Sequence, residues 1–193
     1  RFLDLERNNF ELTLFEKRKN KHIYYIDDSP EEFFILSNKN CNNNFALYTT
    51  ELNIFDSSKW KIFKRHKKDE LLEDFQVFKK YVVLETRKKG LPQLLFINKK
   101  NKKENYVEFK DSAYAVNLSY NDNYDSNSFK YEYSSLITPP TIYSQSFSLK
   151  VRRKIWQQQY NNFKENIYVT SRLSIKGRDG EKIPVSLLYK KGI

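Results

Sequence analysis

Apolar and polar positions change over in short runs along this chain. Aromatic and β-branched residues gather in stretches such as IYYID (23–27), EFFILSN (32–38), FALYTTEL (45–52) and WKIFKR (60–65). Clusters rich in Asn, Lys, Asp, Gly or Pro separate them, which is the pattern of successive strands joined by turns. One stretch competes for a helix: DELLEDFQVFKKY (69–81) has apolar residues at 71, 72, 75 and 78. Its centre, Phe75-Gln76-Val77-Phe78, suits a strand equally well, so spacing alone leaves both open.

A repeat decides between them. Leu36 in FFILSNKNCNNNFALYT lines up with Leu84 in YVVLETRKKGLPQLLFIN, and then with Tyr133 in FKYEYSSLITPPTIYSQSF, in steps of about 48 residues. Each copy is an apolar strand, a polar or turn-forming stretch and a second apolar strand. A further strand follows each pair: WKIFKR, ENYVEF (104–109) and RRKIWQQ (152–158). One also precedes each: IYYID, DFQVF (74–78) and AYAVNLSY (113–120). Four consecutive antiparallel strands recurring at this period describe a β-propeller blade. The expected fold is therefore all-β, with three four-stranded blades over about 22–66, 71–110 and 113–158. FELTLFEKR (10–18) is expected to be the outer strand of an earlier blade. Blades bury their faces only by stacking on neighbours, so three and a fraction of them predict a partial, open propeller belonging to a larger molecule.

Both ends fit that expectation. Residue 1 is Arg and the chain contains no Met. At the other end, GRDGEKIPVSLLYKKGI (177–193) makes a turn at Arg178-Asp179-Gly180 and then a strand-like run, Ile183 to Tyr189, that needs a partner. The single Cys41 excludes an internal disulfide and fits a reducing, cytoplasmic setting. No apolar run has the length of a membrane helix, and no leader pattern is present. The net charge of +11 invites a nucleic-acid reading. Yet the basic residues fall in turns, KRKNK (17–21), RHKK (65–68) and KKNKK (99–103), where solvated loops ordinarily carry them.

The stretches EDFQVFKKYVVLETRKKGLPQLLFIN and FKYEYSSLITPPTIYSQSF resemble the propeller of oligopeptidase B, also called protease II, in the prolyl oligopeptidase family of serine peptidases. TSRLSIKGRDGEKIPVSLLYKKG (170–192) resembles that family's passage from propeller into peptidase domain. The most telling residues are Tyr133-Ser134-Ser135, Thr138-Pro139, Arg178-Asp179-Gly180 and Ile183-Pro184-Val185-Ser186. The resemblance implies a seven-bladed propeller capping an α/β-hydrolase domain with a Ser-Asp-His triad, cleavage of short peptides after Lys or Arg, and acidic residues of the peptidase domain holding the basic side chain. It divides the chain into a partial propeller (1–160) and a hinge with the first strands of the peptidase domain (161–193), the hinge lying near Tyr160–Asn166. The partners it implies are the missing blades, the hydrolase domain and short basic peptides, with no nucleic acid, membrane or cofactor.

No residue of the chain is expected to be catalytic, cofactor-binding or metal-binding. A nucleophile elbow needs small residues around its serine, and none of Gly90, Gly177, Gly180 and Gly192 brackets one. Ser134 and Ser135 read as strand-edge hydroxyls bonded to backbone. His22 and His66 have no companions at metal-ligand spacing, and Cys41 sits in a polar turn. The pairs Asp27-Asp28, Glu31-Glu32 and Asp69-Glu70 point to opposite strand faces or lie solvated in turns. The abundant aromatics, 15 Phe and 14 Tyr, could stack on single-stranded nucleic acid, but in a propeller they fill the space between blades. Two other functions remain open: a truncated or decayed gene product acting as an interaction module, and a basic nucleic-acid-binding β protein.

Overall fold

The computed structural model describes residues 1–5, 11–41, 44–149 and 151–192. The chain forms two compact units, Arg1–Lys68 and Asp69–Ile193. The first holds a short antiparallel pair, β1 (Phe2–Leu3) with β2 (Leu12–Thr13), and a four-stranded meander of β3 (Tyr24–Asp28), β4 (Glu32–Ser37), β5 (Ala46–Glu51) and β6 (Lys61–Lys64). Of the segment 10–18, only Leu12–Thr13 is strand, and Phe10 lies outside the described residues. Phe15 is instead a buried plug, edge-on to Phe33 at 5.1 Å and packed with Phe2, Phe55 and Trp60.

The second unit contains two further meanders. One is β7 (Glu70–Val77), β8 (Tyr81–Lys88), β9 (Leu91–Asn98) and β10 (Glu104–Tyr106). The next is β11 (Tyr114–Leu118), β12 (Ser128–Ser135), β13 (Thr141–Ser146) and β14 (Arg152–Gln157). Each of the three meanders is a separate sheet with its strands in chain order, the blade architecture expected from the repeat. A two-stranded hairpin, β15 (Tyr168–Lys176) with β16 (Lys182–Lys190), follows.

The stretch 69–81 is strand, and its helix-like spacing has a cause. Pairing of β7 with β8 slips between Leu72 and Asp74, so Glu73 is an inserted residue. Such a bulge shifts the in-out alternation by one position. Leu72 and Phe75 are both buried although three residues apart, which imitates a helical step.

Alternation along β8, β9 and β12 aims one side chain in two at the facing sheet. Val83, Leu94, Phe96 and Val107 of the second blade thereby meet Val116, Phe129, Tyr131, Tyr133 and Phe147 of the third in one buried cluster. Tyr81 and Phe147 stack with centroids 4.3 Å apart and planes 2° from parallel. Phe109 lies on Tyr133 at 5.1 Å and 7°. Each aromatic pair of this kind contributes about 0.5–1.5 kcal/mol beyond its buried area, so the aromatics serve packing.

Polar ties close one end of this interface. Gln76 Nε2 donates to the Asn121 carbonyl at 2.5 Å, Asn121 Nδ2 donates to Gln76 Oε1 at 3.0 Å, and Lys79 N–H donates to the Tyr124 carbonyl at 2.9 Å. The opposite face of β12 and β13 is different. It presents Ser128, Lys130, Glu132, Ser134, Ile142, Ser144 and Ser146, none of them buried. The exposed blade face is thus mostly polar. The hairpin also carries large exposed apolar residues, with Leu173, Ile175 and Ile183 each about half exposed.

Candidate functional site

A cleft of about 480 Å³ opens where the second blade, the third blade and the hairpin meet. Its walls include Glu73, Glu85 and Arg87 of the second blade, Tyr114 to Asn117 of β11, and Arg172 and Ser186 of the hairpin. The bulge in β7 turns Glu73 toward β8, where Arg87 Nε contacts Glu73 Oε1 at 2.7 Å. Glu85 bridges the blades, its Oε1 accepting the Leu118 N–H at the end of β11. β11 is the edge strand of its sheet, and a carboxylate on that edge occupies a donor that would otherwise be open to pairing. Burial pushes the Glu85 carboxyl above its usual range, and nearby Asp74 and Glu73 add to the rise. The Leu118 N–H and Arg87 oppose that rise without cancelling it.

The hairpin closes the third side. Arg172 Nη2 donates to the Lys89 carbonyl at 2.8 Å. Lys89 and Gly90 form the two-residue turn between β8 and β9 with φ of 50° and 74°, the left-handed pair that suits a tight hairpin and favours glycine. A Cβ at Gly90 would stand 3.0 Å from Arg172 Nη2 and 3.6 Å from Pro184 Cγ.

A second polar node lies in the connection between β10 and β11. Asp111 accepts from Tyr133 Oη at 2.6 Å and from Thr138 Oγ1 at 3.0 Å, both through Oδ2. Burial alone would raise its carboxyl; the hydroxyls of Tyr133, Ser135 and Thr138 outweigh burial and hold it below the usual carboxylate range. The Tyr133 phenol is pushed well up, by burial first and by Asp111 next. Ser135 Oγ also accepts from the Ile137 and Thr138 amides at 3.2 and 2.9 Å, a strand-edge hydroxyl on backbone as expected. The Tyr133-Ser134-Ser135 and Thr138-Pro139 motifs therefore cooperate around Asp111. Ser134 lies opposite Ala115 on β11.

The other sequence candidates are dispersed. His22 Nε2 lies 2.9 Å from Ser37 Oγ, and burial depresses its basicity. His66 Nδ1 is 3.1 Å from the Phe45 carbonyl. Cys41 Sγ is 3.1 Å from the Lys39 carbonyl. Among the described residues no group of His, Cys, Asp and Glu could hold a metal ion. Asp69 pairs with Lys88 at 3.1 Å, whereas Glu70 departs from the solvated expectation. It is 2% exposed and accepts from Tyr106 Oη at 2.7 Å. The cleft walls carry no histidine or cysteine, so Ser186 has no imidazole partner among them. The arrangement can bind and orient; it holds no nucleophile–base pair. Glu85, Asp111 and Arg172 were not singled out by sequence, because their partners lie 33, 22 and 83 residues away. The only local hint was the Thr138-Pro139 motif beside Tyr133.

No helix of the described chain is long and apolar enough to cross a membrane. A profile described as "Prolyl oligopeptidase, N-terminal beta-propeller domain" matches residues 1–159. Dipeptidyl aminopeptidase BI of Pseudoxanthomonas mexicana is 30% identical over 94% of this chain and 25% of its own length. Protease 2 of Moraxella lacunata is 22% identical over 94% of this chain and 26% of its own. The solved structure of oligopeptidase B from Leishmania major superposes with a TM-score of 0.86 at 24% identity, over 98% of this chain and 28% of that one. That likeness shows a shared fold. The chain spans about a quarter of the length of the curated relatives it matches. With its three four-stranded sheets and the match over residues 1–159, the chain belongs to the prolyl oligopeptidase family, as part of its N-terminal β-propeller domain.

Proposed function

We propose that this chain is the non-catalytic propeller segment of an oligopeptidase B-like serine peptidase, acting in the cytoplasm on short peptides cleaved after Lys or Arg. Residues 1–160 serve as the cap that limits entry to short substrates. Residues 161–193 serve as the hinge and first strands of the peptidase domain. The nucleophile, its base and the acidic groups that hold the basic side chain belong to that domain, and the chain's own residues filter, orient and couple. The observation that carries this reading is the hairpin 168–190, held against a blade turn while most of its apolar side chains stay open for a further sheet to cover. The linker 158–167, with a single short 3₁₀ turn at Glu165–Ile167, supports the hinge. Motion there would let the cap swing on the catalytic domain.

A chimera tests this function. Residues 1–193 replace the matching segment of the Leishmania major enzyme, and cleavage of a short Lys-containing peptide is compared with cleavage of an unfolded protein. Retained cleavage of the peptide with exclusion of the protein is expected. Equal cleavage of both would refute the filtering role.

A further inference from the structure

We propose that Arg172 is a positioning residue, a latch that fixes the β15–β16 hairpin on the β8–β9 turn of the second blade and so sets one wall of the inter-blade cleft. The proposal adds a named device to the propeller-and-hinge reading and rests on it only for its consequence in the complete enzyme.

The hairpin has little else to orient it. Its strands pair with each other in a two-stranded sheet of their own and share no ladder with either blade of the unit. They also pack on each other far more extensively than on any other strand. The bond from Arg172 Nη2 to the Lys89 carbonyl is therefore a principal fastening. A rigid guanidinium fork suits this task better than an ammonium on a free stem.

The turn that receives it is shaped for close approach. Gly90 lacks the Cβ that would stand 3.0 Å from the guanidinium and 3.6 Å from Pro184 Cγ. Both strands of the hairpin thus converge on one glycine, Arg172 from β15 and Pro184 from β16. Arg172 and Ser186 also line the cleft whose other walls are Glu73, Glu85 and β11. Releasing the latch lets the hairpin turn on the linker and opens that wall, while the aromatic layer between the blades is untouched.

Distance measurement by pulsed electron paramagnetic resonance tests the latch in the 193-residue chain. Nitroxide labels are placed at Lys100 and Asp179, both exposed, with Cys41→Ser removing the native thiol. The wild-type side chain at 172 is expected to give one narrow distribution. Arg172→Met is expected to broaden it, and Arg172→Lys, which restores a donor, to narrow it part of the way back. Amide exchange in β12, read on the same samples, is expected to stay unchanged. Should Arg172→Met unfold the unit, Gly90→Asn carries the decision. Asn tolerates the left-handed turn, yet its side chain displaces the guanidinium, so broadening is again expected. An Arg172→Met distribution as narrow as wild type, or a narrow Gly90→Asn distribution, overturns the latch. These distances are read without any peptidase domain. A chimera that loses size filtering while the latch stays closed would refute the functional proposal alone.

Discussion

The Asp111 node offers a quantitative test of how the third blade is built. Asp111→Ala removes the acceptor of two hydroxyls, Tyr133 Oη at 2.6 Å and Thr138 Oγ1 at 3.0 Å. Tyr133 is 6% exposed, so water cannot readily replace the lost carboxylate there. A buried donor left without a partner costs about 1–3 kcal/mol, and two of them, one partly accessible, give a loss of about 2–4 kcal/mol by the same rule. Asp111→Asn keeps the shape and one acceptor oxygen, and its loss is expected at about 1–2 kcal/mol, the charge-assisted share. The two variants also differ from wild type in acid. Because the native carboxyl is held below its unfolded value, its contribution is full above the unfolded pKa, near 4. It disappears as pH falls through the lower native value. Both variants are therefore expected to lose less stability than wild type on acidification. Amide exchange in β12, supported by urea unfolding followed by circular dichroism at neutral and acid pH, reads both effects. An Asp111→Ala protein within about 0.5 kcal/mol of wild type, the range of an ordinary surface change, would refute the reasoning.

Three further outcomes are expected. Phe147→Ala removes a ring that stacks on Tyr81 and touches Phe78, Phe96 and Phe129. It should destabilise the second unit by about 3–5 kcal/mol in denaturant titration; a loss below 1 kcal/mol, roughly the value of one methylene, would argue against the packed aromatic layer. Glu85→Gln keeps an acceptor for the Leu118 N–H while removing repulsion from Asp74 and Glu73. Since the native carboxyl is raised, its favourable contribution is present below the unfolded pKa and lost as pH rises through the native value. The variant should therefore match wild type in acid and exceed it at neutral pH; a less stable variant at neutral pH contradicts this. Exposed apolar residues on the hairpin should drive self-association at high concentration, and Leu173, Ile175 and Ile183 changed together to Lys should abolish it in sedimentation runs. Persistent association of the triple variant would place the sticky surface elsewhere.

The strand order of this protein was legible because apolar runs and turn chemistry act locally. Tyr81 to Lys88 and Leu91 to Asn98 each hold an apolar run on either side of the Lys89-Gly90 turn, and the two-residue turn sets their register. The stretch 69–81 was ambiguous for an equally local reason, since the bulge at Glu73 shifts the alternation so that it mimics a helix. The N-terminal segment was misjudged because Phe15 plugs the core of the first unit and does not extend a strand. Side-chain pairing across the fold leaves no periodic trace. Glu70 looked like half of a solvated acidic pair, yet Tyr106, 36 residues away, buries and binds it. The polar character of the exposed β12 face was present in Ser128, Lys130, Glu132 and Ser134, but it becomes visible only once the register is known.

Reaction with a fluorophosphonate probe bears most directly on whether these residues hold a nucleophile. The purified 193-residue chain is incubated with the probe, digested and searched by mass spectrometry for a modified serine, while a parallel sample is offered Lys- and Arg-containing fluorogenic peptides. No serine labelled and no peptide turned over is the expected result. Stoichiometric labelling of one serine together with turnover that the probe abolishes would put the nucleophile inside these blades.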